Sequence, residues 1–147
     1  MRNHLKVAIA ITSCSFSTNL FADIKENPWK IHTIDKSSQG ADGVRLLDVN
    51  SDGLMDIATG WEEGGIIRAY LHPQKGQEKK LWPAVTVGEV KSPEDAVFID
   101  INKDGAVDLV SSCEGSTRSM FIHWAPQSAK DYLDVTKWQT SAIPATK

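Results

Sequence analysis

The sequence predicts an all-β protein of about two four-stranded, propeller-type blades with the start of a third. Three observations support this: self-similarity at a period near fifty residues, short apolar runs bounded by Gly, Pro and Asp, and a recurring tryptophan. Asp48 and Asp100 lie 52 positions apart, and each polar position of "DVNSDGLMD" (48–56) has a polar match in "DINKDGAVD" (100–108). Trp29, Trp82 and Trp138 share a W-x-x-x-[TA]-[IV] shape at intervals of 53 and 56. Four short strands in about fifty residues, repeated, is the period of a propeller blade.

The chain opens differently from how it continues. "MRNHLK" carries Arg2 and Lys6 with no acid, "VAIAITSCSFSTNLFA" is apolar and small, and Ala22 precedes Asp23. That is the layout of a secretory signal peptide over residues 1–22. The run is interrupted by Thr12, Ser13, Ser15, Ser17, Thr18 and Asn19 and falls short of the roughly 20 apolar residues of a membrane span. Ile11-Thr12-Ser13-Cys14 loosely matches a lipoprotein box, which makes lipidation at Cys14 a minor alternative. Cleavage removes two positive charges and no negative ones, taking the net charge from −3 to about −5. It leaves Cys113 alone, so no internal disulfide framework is available. The expected localisation is exported: periplasmic, extracellular or cell-surface. With 41% hydrophobic and 24% charged residues the rest reads as globular, and an acidic balance without a basic stripe excludes nucleic acid as a partner.

Within residues 23–147 the repeats are set at about 29–81 and 82–137, with a partial third at 138–147. Residues 44–49 and 97–101 are rich in Val, Ile, Leu and Phe and too short for helices, so each is a first strand. An acidic turn follows, then the exit runs "DIATGW" and "DLVSSC" as second strands. Turns at Glu63-Gly64-Gly65 and Gly115-Ser116-Thr117 lead to third strands, "IIRAYLH" and "SMFIHWA". The Trp-led segment makes the fourth. Trp29, Trp82 and Trp138 are expected to pack between blades, since buried aromatics dominate such cores. Trp61 and Trp124 lie near strand ends, where a sugar could stack, and Cys113 is expected to be buried on a strand.

The acidic turns ask for a cation. Positions 1, 3 and 5 are Asp48, Asn50 and Asp52, or Asp100, Asn102 and Asp104; position 9 is Asp56 or Asp108. Alternating side chains converge only if the chain coils round a centre, and Gly53 or Gly105 at position 6 permits the positive φ of that bend. Leu54 or Ala106 at position 7 can then offer its backbone carbonyl. An oxygen-only donor set with no thiolate or imidazole selects Ca²⁺, at two sites. Met55 and Val107 at position 8 are expected to point into the core. An EF-hand would need Glu at position 12, which here is Thr59 or Ser111, between strand-like flanks.

These D-x-N-x-D-G-x-x-D turns and their period resemble the FG-GAP/VCBS repeat family, the integrin-α-like propellers, over about residues 29–147. The resemblance implies that Asp48, Asn50, Asp52, Asp56, Asp100, Asn102, Asp104 and Asp108 are side-chain ligands. It also implies that the chain is a truncated member, because family propellers have several blades. Two blades leave open edge strands that invite self-association.

The expected function is a non-enzymatic, exported, calcium-binding module for a protein or glycan ligand. Two alternatives are a dockerin-like interaction module, which shares D-x-N-x-D-G loops, and a secreted hydrolase using Glu62, Glu63 or Glu114 beside the glycine-rich turns. No HExxH motif, nucleophile elbow or Ser-His-Asp order stands out around His32, His72 or His123.

Overall fold

The computed structural model describes residues 29–144; the expected signal peptide, with Cys14, lies outside the described residues. The chain divides into two compact units, Met1–Ile31 and His32–Lys147. Of the first, residues 29–31 are described; they form no strand, and Trp29 and Ile31 are exposed.

The second unit carries eight strands in two antiparallel sheets. β1 (Ala41–Leu47), β2 (Asp56–Trp61), β3 (Ile66–Tyr70) and β4 (Ala84–Glu89) form the first in the order β1-β2-β3-β4. β5 (Pro93–Ile99), β6 (Asp108–Cys113), β7 (Ser119–Trp124) and β8 (Gln139–Ala142) form the second in the same meander. Neither sheet closes on itself. The described helical structure is two 3₁₀ turns, Ala129–Asp131 and Val135–Lys137. No helix among the described residues is long and apolar enough to cross a membrane.

The repeat reappears in three dimensions with a shifted phase. The Trp82-led strand is β4 and pairs with β3, and the Trp138-led strand is β8 and pairs with β7. The sheets therefore run Ala41–Glu89 and Pro93–Ala142, and residues 138–144 finish the second blade where the sequence reading had them begin a third. The physical reason is that a Trp can mark the last strand of a period as regularly as the first.

Alternation within the strands defines the two faces of each sheet. In the first sheet Gly60 looks directly onto Pro93 of the second, and Gly60, Ile67, Ala58, Ala69 and Val85 share that face through their cross-strand register. In the second sheet His123 abuts Gly88, and Leu109, Phe98 and Ala96 lie on the same face as His123. The two faces join in one buried core. Gly88 is required there: a Cβ would collide with the imidazole of His123 and approach Thr140. Thr140 also donates its hydroxyl to the Val87 carbonyl, 3.3 Å away.

Three packing expectations need correction. Trp29 is 95% exposed, whereas Trp82 is half-buried and Trp138 is buried. The latter two hold polar and aromatic partners in their own blades, and Trp138 also belongs to the core shared by the two sheets. Trp82 donates to the Glu78 carbonyl and meets His72 edge-on at 4.7 Å; Trp138 donates to the Tyr132 carbonyl and meets that ring edge-on at 4.8 Å. Met55 is 55% exposed, while Val107 packs against the core beneath Tyr132, whose hydroxyl donates to the Val107 carbonyl. The second blade has a 3₁₀ segment to cover position 8; among the described residues nothing comparable lies on Met55.

Candidate metal centres

Each acidic turn links the first and second strands of its sheet: residues 48–55 between β1 and β2, residues 100–107 between β5 and β6. Like charge at alternate positions is tolerated because the backbone supplies donors. Both oxygens of Asp48 accept N–H groups, Oδ1 from Asp52 at 3.1 Å and Oδ2 from Gly53 at 2.9 Å. Asn50 Oδ1 accepts from Asp52 N at 3.0 Å, its Nδ2 donates to Asp52 Oδ2 at 3.0 Å, and Asp52 Oδ1 accepts from Leu54 N at 2.8 Å. The second turn repeats this bond for bond. Asp100 accepts from Asp104 N and Gly105 N at 3.1 and 3.0 Å, and Asn102 accepts from Asp104 N at 3.1 Å. Asn102 Nδ2 to Asp104 is 2.7 Å, and Asp104 accepts from Ala106 N at 2.8 Å.

The backbone takes the bend the motif requires. Gly53 and Gly105 have φ of 85° and 90°, and a Cβ at either would meet nothing within 4 Å, so the glycine is there for conformation and not for space. Ser51 and Lys103 at position 4 are also left-handed, at 61° and 62°. Composition gave no hint of that second left-handed residue, since neither is Gly, Asn or Asp.

Position 9 differs in kind. Asp56 and Asp108 are the first residues of β2 and β6 and are almost completely buried, at 0% and 1% exposure. Asp56 accepts Val49 N at 2.9 Å and His72 N at 2.8 Å, one on each oxygen. Asp108 accepts Ile101 N at 3.4 Å and Ala125 N at 2.8 Å. Each carboxylate thus ties the start of its acidic turn to the exit of its sheet's third strand. An oxygen holding one N–H has a further lone pair for a cation. Burial raises both carboxyls above the usual range; the backbone N–H donors oppose this, and the charges at positions 5 and 1 of the same turn add to the rise. The ion pairs among the described residues are Arg45–Asp95 and Arg68–Asp35, so no side-chain cation neutralises either turn.

The donors at positions 1, 3, 5 and 9 are oxygens, which suits a hard divalent cation such as Ca²⁺. The position 12 hydroxyls turn elsewhere: Thr59 donates to the carbonyls of Asp42 and Gly43, and Ser111 bonds His123 Nε2 at 2.9 Å. A polar hollow of about 160 Å³ lies between the turns, lined by Asn50, Ser51, Gly105 and Ala106 among others.

The carboxylates of one turn do not close into a tight trio. Among the described residues the one group of three acidic, His or Cys side chains with ligand atoms within 4.8 Å of one another is Asp42, Glu62 and Glu94. Burial raises Glu94, followed by the charges of Glu114, Asp42 and Glu62. Sequence reasoning singled out Glu62 and Glu114 but missed Asp42 and Glu94, because strand pairing and sheet stacking bring the four together. Trp61 is buried with Nε1 donating to Tyr70 at 2.9 Å, and Trp124 is half-buried with Nε1 3.2 Å from Ser141 Oγ. Cys113 is buried on β6, and burial raises its thiol.

The family model described as an FG-GAP-like repeat matches residues 48–111, from the first aspartate of one turn to the strand leaving the next. No curated protein and no solved structure matches the chain. Two four-stranded antiparallel blades at the matched period agree with that repeat. Residues 48–111 are therefore similar to an FG-GAP-like repeat, and the two blades that contain them are consistent with a β-propeller-type repeat module.

Proposed function

We propose that the chain is an exported, calcium-binding repeat module that binds a protein or a glycan and does not turn over a substrate. The observation that carries this reading is the duplication of an oxygen-only turn with the same hydrogen bonds in both copies and, among the described residues, no Lys or Arg paired to it. Asp48, Asn50, Asp52 and Asp56 would hold one ion with the Leu54 carbonyl; Asp100, Asn102, Asp104 and Asp108 would hold the other with the Ala106 carbonyl. Export rests on the layout of residues 1–22. Strands on both sides of each turn favour a blade over a dockerin, whose loops sit between short helices.

The missing carboxylate at position 12 sets the affinity at about 10⁻⁴ to 10⁻³ M, the range of extracellular modules. The test is calorimetric titration of the chain with CaCl₂. Two sites are expected in the parent, one each in Asp52→Ala and Asp104→Ala, and none in the double variant. No heat of binding, together with identical melting in calcium and in chelator, would overturn the reading.

A further inference from the structure

We infer that the two outward sheet faces of this chain are complementary to each other and join copies head to tail. The internal interface supplies the template. Phe98 and Ala96 of β5 are buried against the first sheet at 7% and 1% exposure. Their counterparts one 52-residue period earlier are Leu46 and Val44 of β1, which are 60% and 58% exposed. The first sheet thus presents, uncovered, the positions through which the second sheet is held.

The second sheet leaves open the opposite face. Val97, Ile99 and Met120 are exposed there and occupy the side that, in the first sheet, faces its neighbour. Each open face carries a hollow. One of about 170 Å³ is lined by Val44, Ile57 and Trp61; the other, of about 80 Å³, by Val97, Val110 and Met120.

Charge agrees with this pairing. The internal interface contains the Arg45–Asp95 ion pair. At the second sheet's open face the position that corresponds to Arg45 is Val97, so a joint between copies would bury no unpaired cation there. The outer part of the first sheet's open face is already covered. Asp35 bonds Tyr70 at 2.8 Å, as Gly88 abuts the equivalent His123, and Glu62 N donates to the Gly40 carbonyl as Glu114 N donates to that of Ser92. What stays open is the inner part, β1, which a second copy's β5 fits. Such a contact uses different patches on the two partners, so it propagates or closes into a ring.

The test is the mass of the full chain by sedimentation over a wide concentration range, in calcium and in chelator. Association beyond a dimer is expected. Leu46→Asp and Val97→Asp, both at exposed positions, should each be monomeric with an unchanged circular dichroism spectrum. Mixed together they should form a 1:1 dimer and nothing larger, since each keeps the face the other has lost. A parent that is monomeric throughout, or variants that fail to pair when mixed, would overturn the inference; Val44→Glu with Met120→Glu repeats the test should either aspartate unfold the chain. Calcium uptake is measured separately, so failure here leaves the proposed metal sites standing.

Discussion

Buried polar side chains set the behaviour of single residues in this protein. His123 is fully buried between the sheets, bonded to Ser111 and, through Nδ1 at 2.9 Å, to Thr140; burial pulls its imidazole down to about 4 from 6.5. Below pH 6.5 the unfolded chain therefore takes up a proton that the folded chain refuses. This contribution to stability is complete above pH 6.5 and is lost as pH falls to about 4, a change of about 3 kcal/mol for 2.5 units. Urea denaturation of His123→Gln across that range should show a flatter dependence than the parent. Position 9 gives the second prediction. Asp108→Ala removes the partners of two backbone N–H groups, at about 1–3 kcal/mol each when buried. Asp104→Ala removes the acceptor of one part-buried N–H, that of Ala106, and otherwise touches exposed groups. In chelator the first should lower the urea midpoint more than the second, whereas in calcium both should lower it strongly.

At the scale of elements, the acidic turn is a left-handed bend made twice. Gly53→Ala or Gly105→Ala meets no atom, so its penalty is conformational, about 1–2 kcal/mol. Gly88→Ala places a methyl group against His123 across the sheet interface, and overpacking of that kind costs about 1–3 kcal/mol. The two substitutions separate by their remedy. Shortening the opposing side chain, as in Gly88→Ala with His123→Ala, should recover part of the loss in a double-mutant cycle, whereas no second substitution should rescue Gly53→Ala. The first three strands of each blade were legible from apolar runs between turn residues, and glycine at position 6 announced the bend. Coverage was not legible: Met55 and Val107 hold the same repeat position, yet only Val107 lies beneath Tyr132. That tyrosine comes from 25 residues further along and has no counterpart in the pattern of the turn.

For the whole molecule, the proposed calcium sites would couple stability to the ion. A cation held by the folded chain alone adds RT ln(1 + [Ca]/Kd), about 2.7 kcal/mol per site at a hundredfold excess over Kd. Thermal melts should therefore shift upward with CaCl₂ and return on chelation, and the shift should halve in Asp52→Ala; melts that ignore both reagents would remove calcium from the account. By itself the sequence determined the period, the first three strands of each blade, the Trp82-led and Trp138-led strands, the two turns and the likeness to an FG-GAP-like repeat, because these are written in local alternation and spacing; the strand it led from Trp29 is not formed. The tertiary structure alone decided the phase of the blades, which depends on whether a Trp-led strand bonds to the strand before it or begins a new sheet. It also decided that Asp56 and Asp108 are buried links between a turn and a distant strand exit, and that Asp42, Glu62 and Glu94 meet at one place. Those are contacts between residues far apart in the chain, and a repeat pattern specifies which residues recur but not which partners the folding chain brings against them.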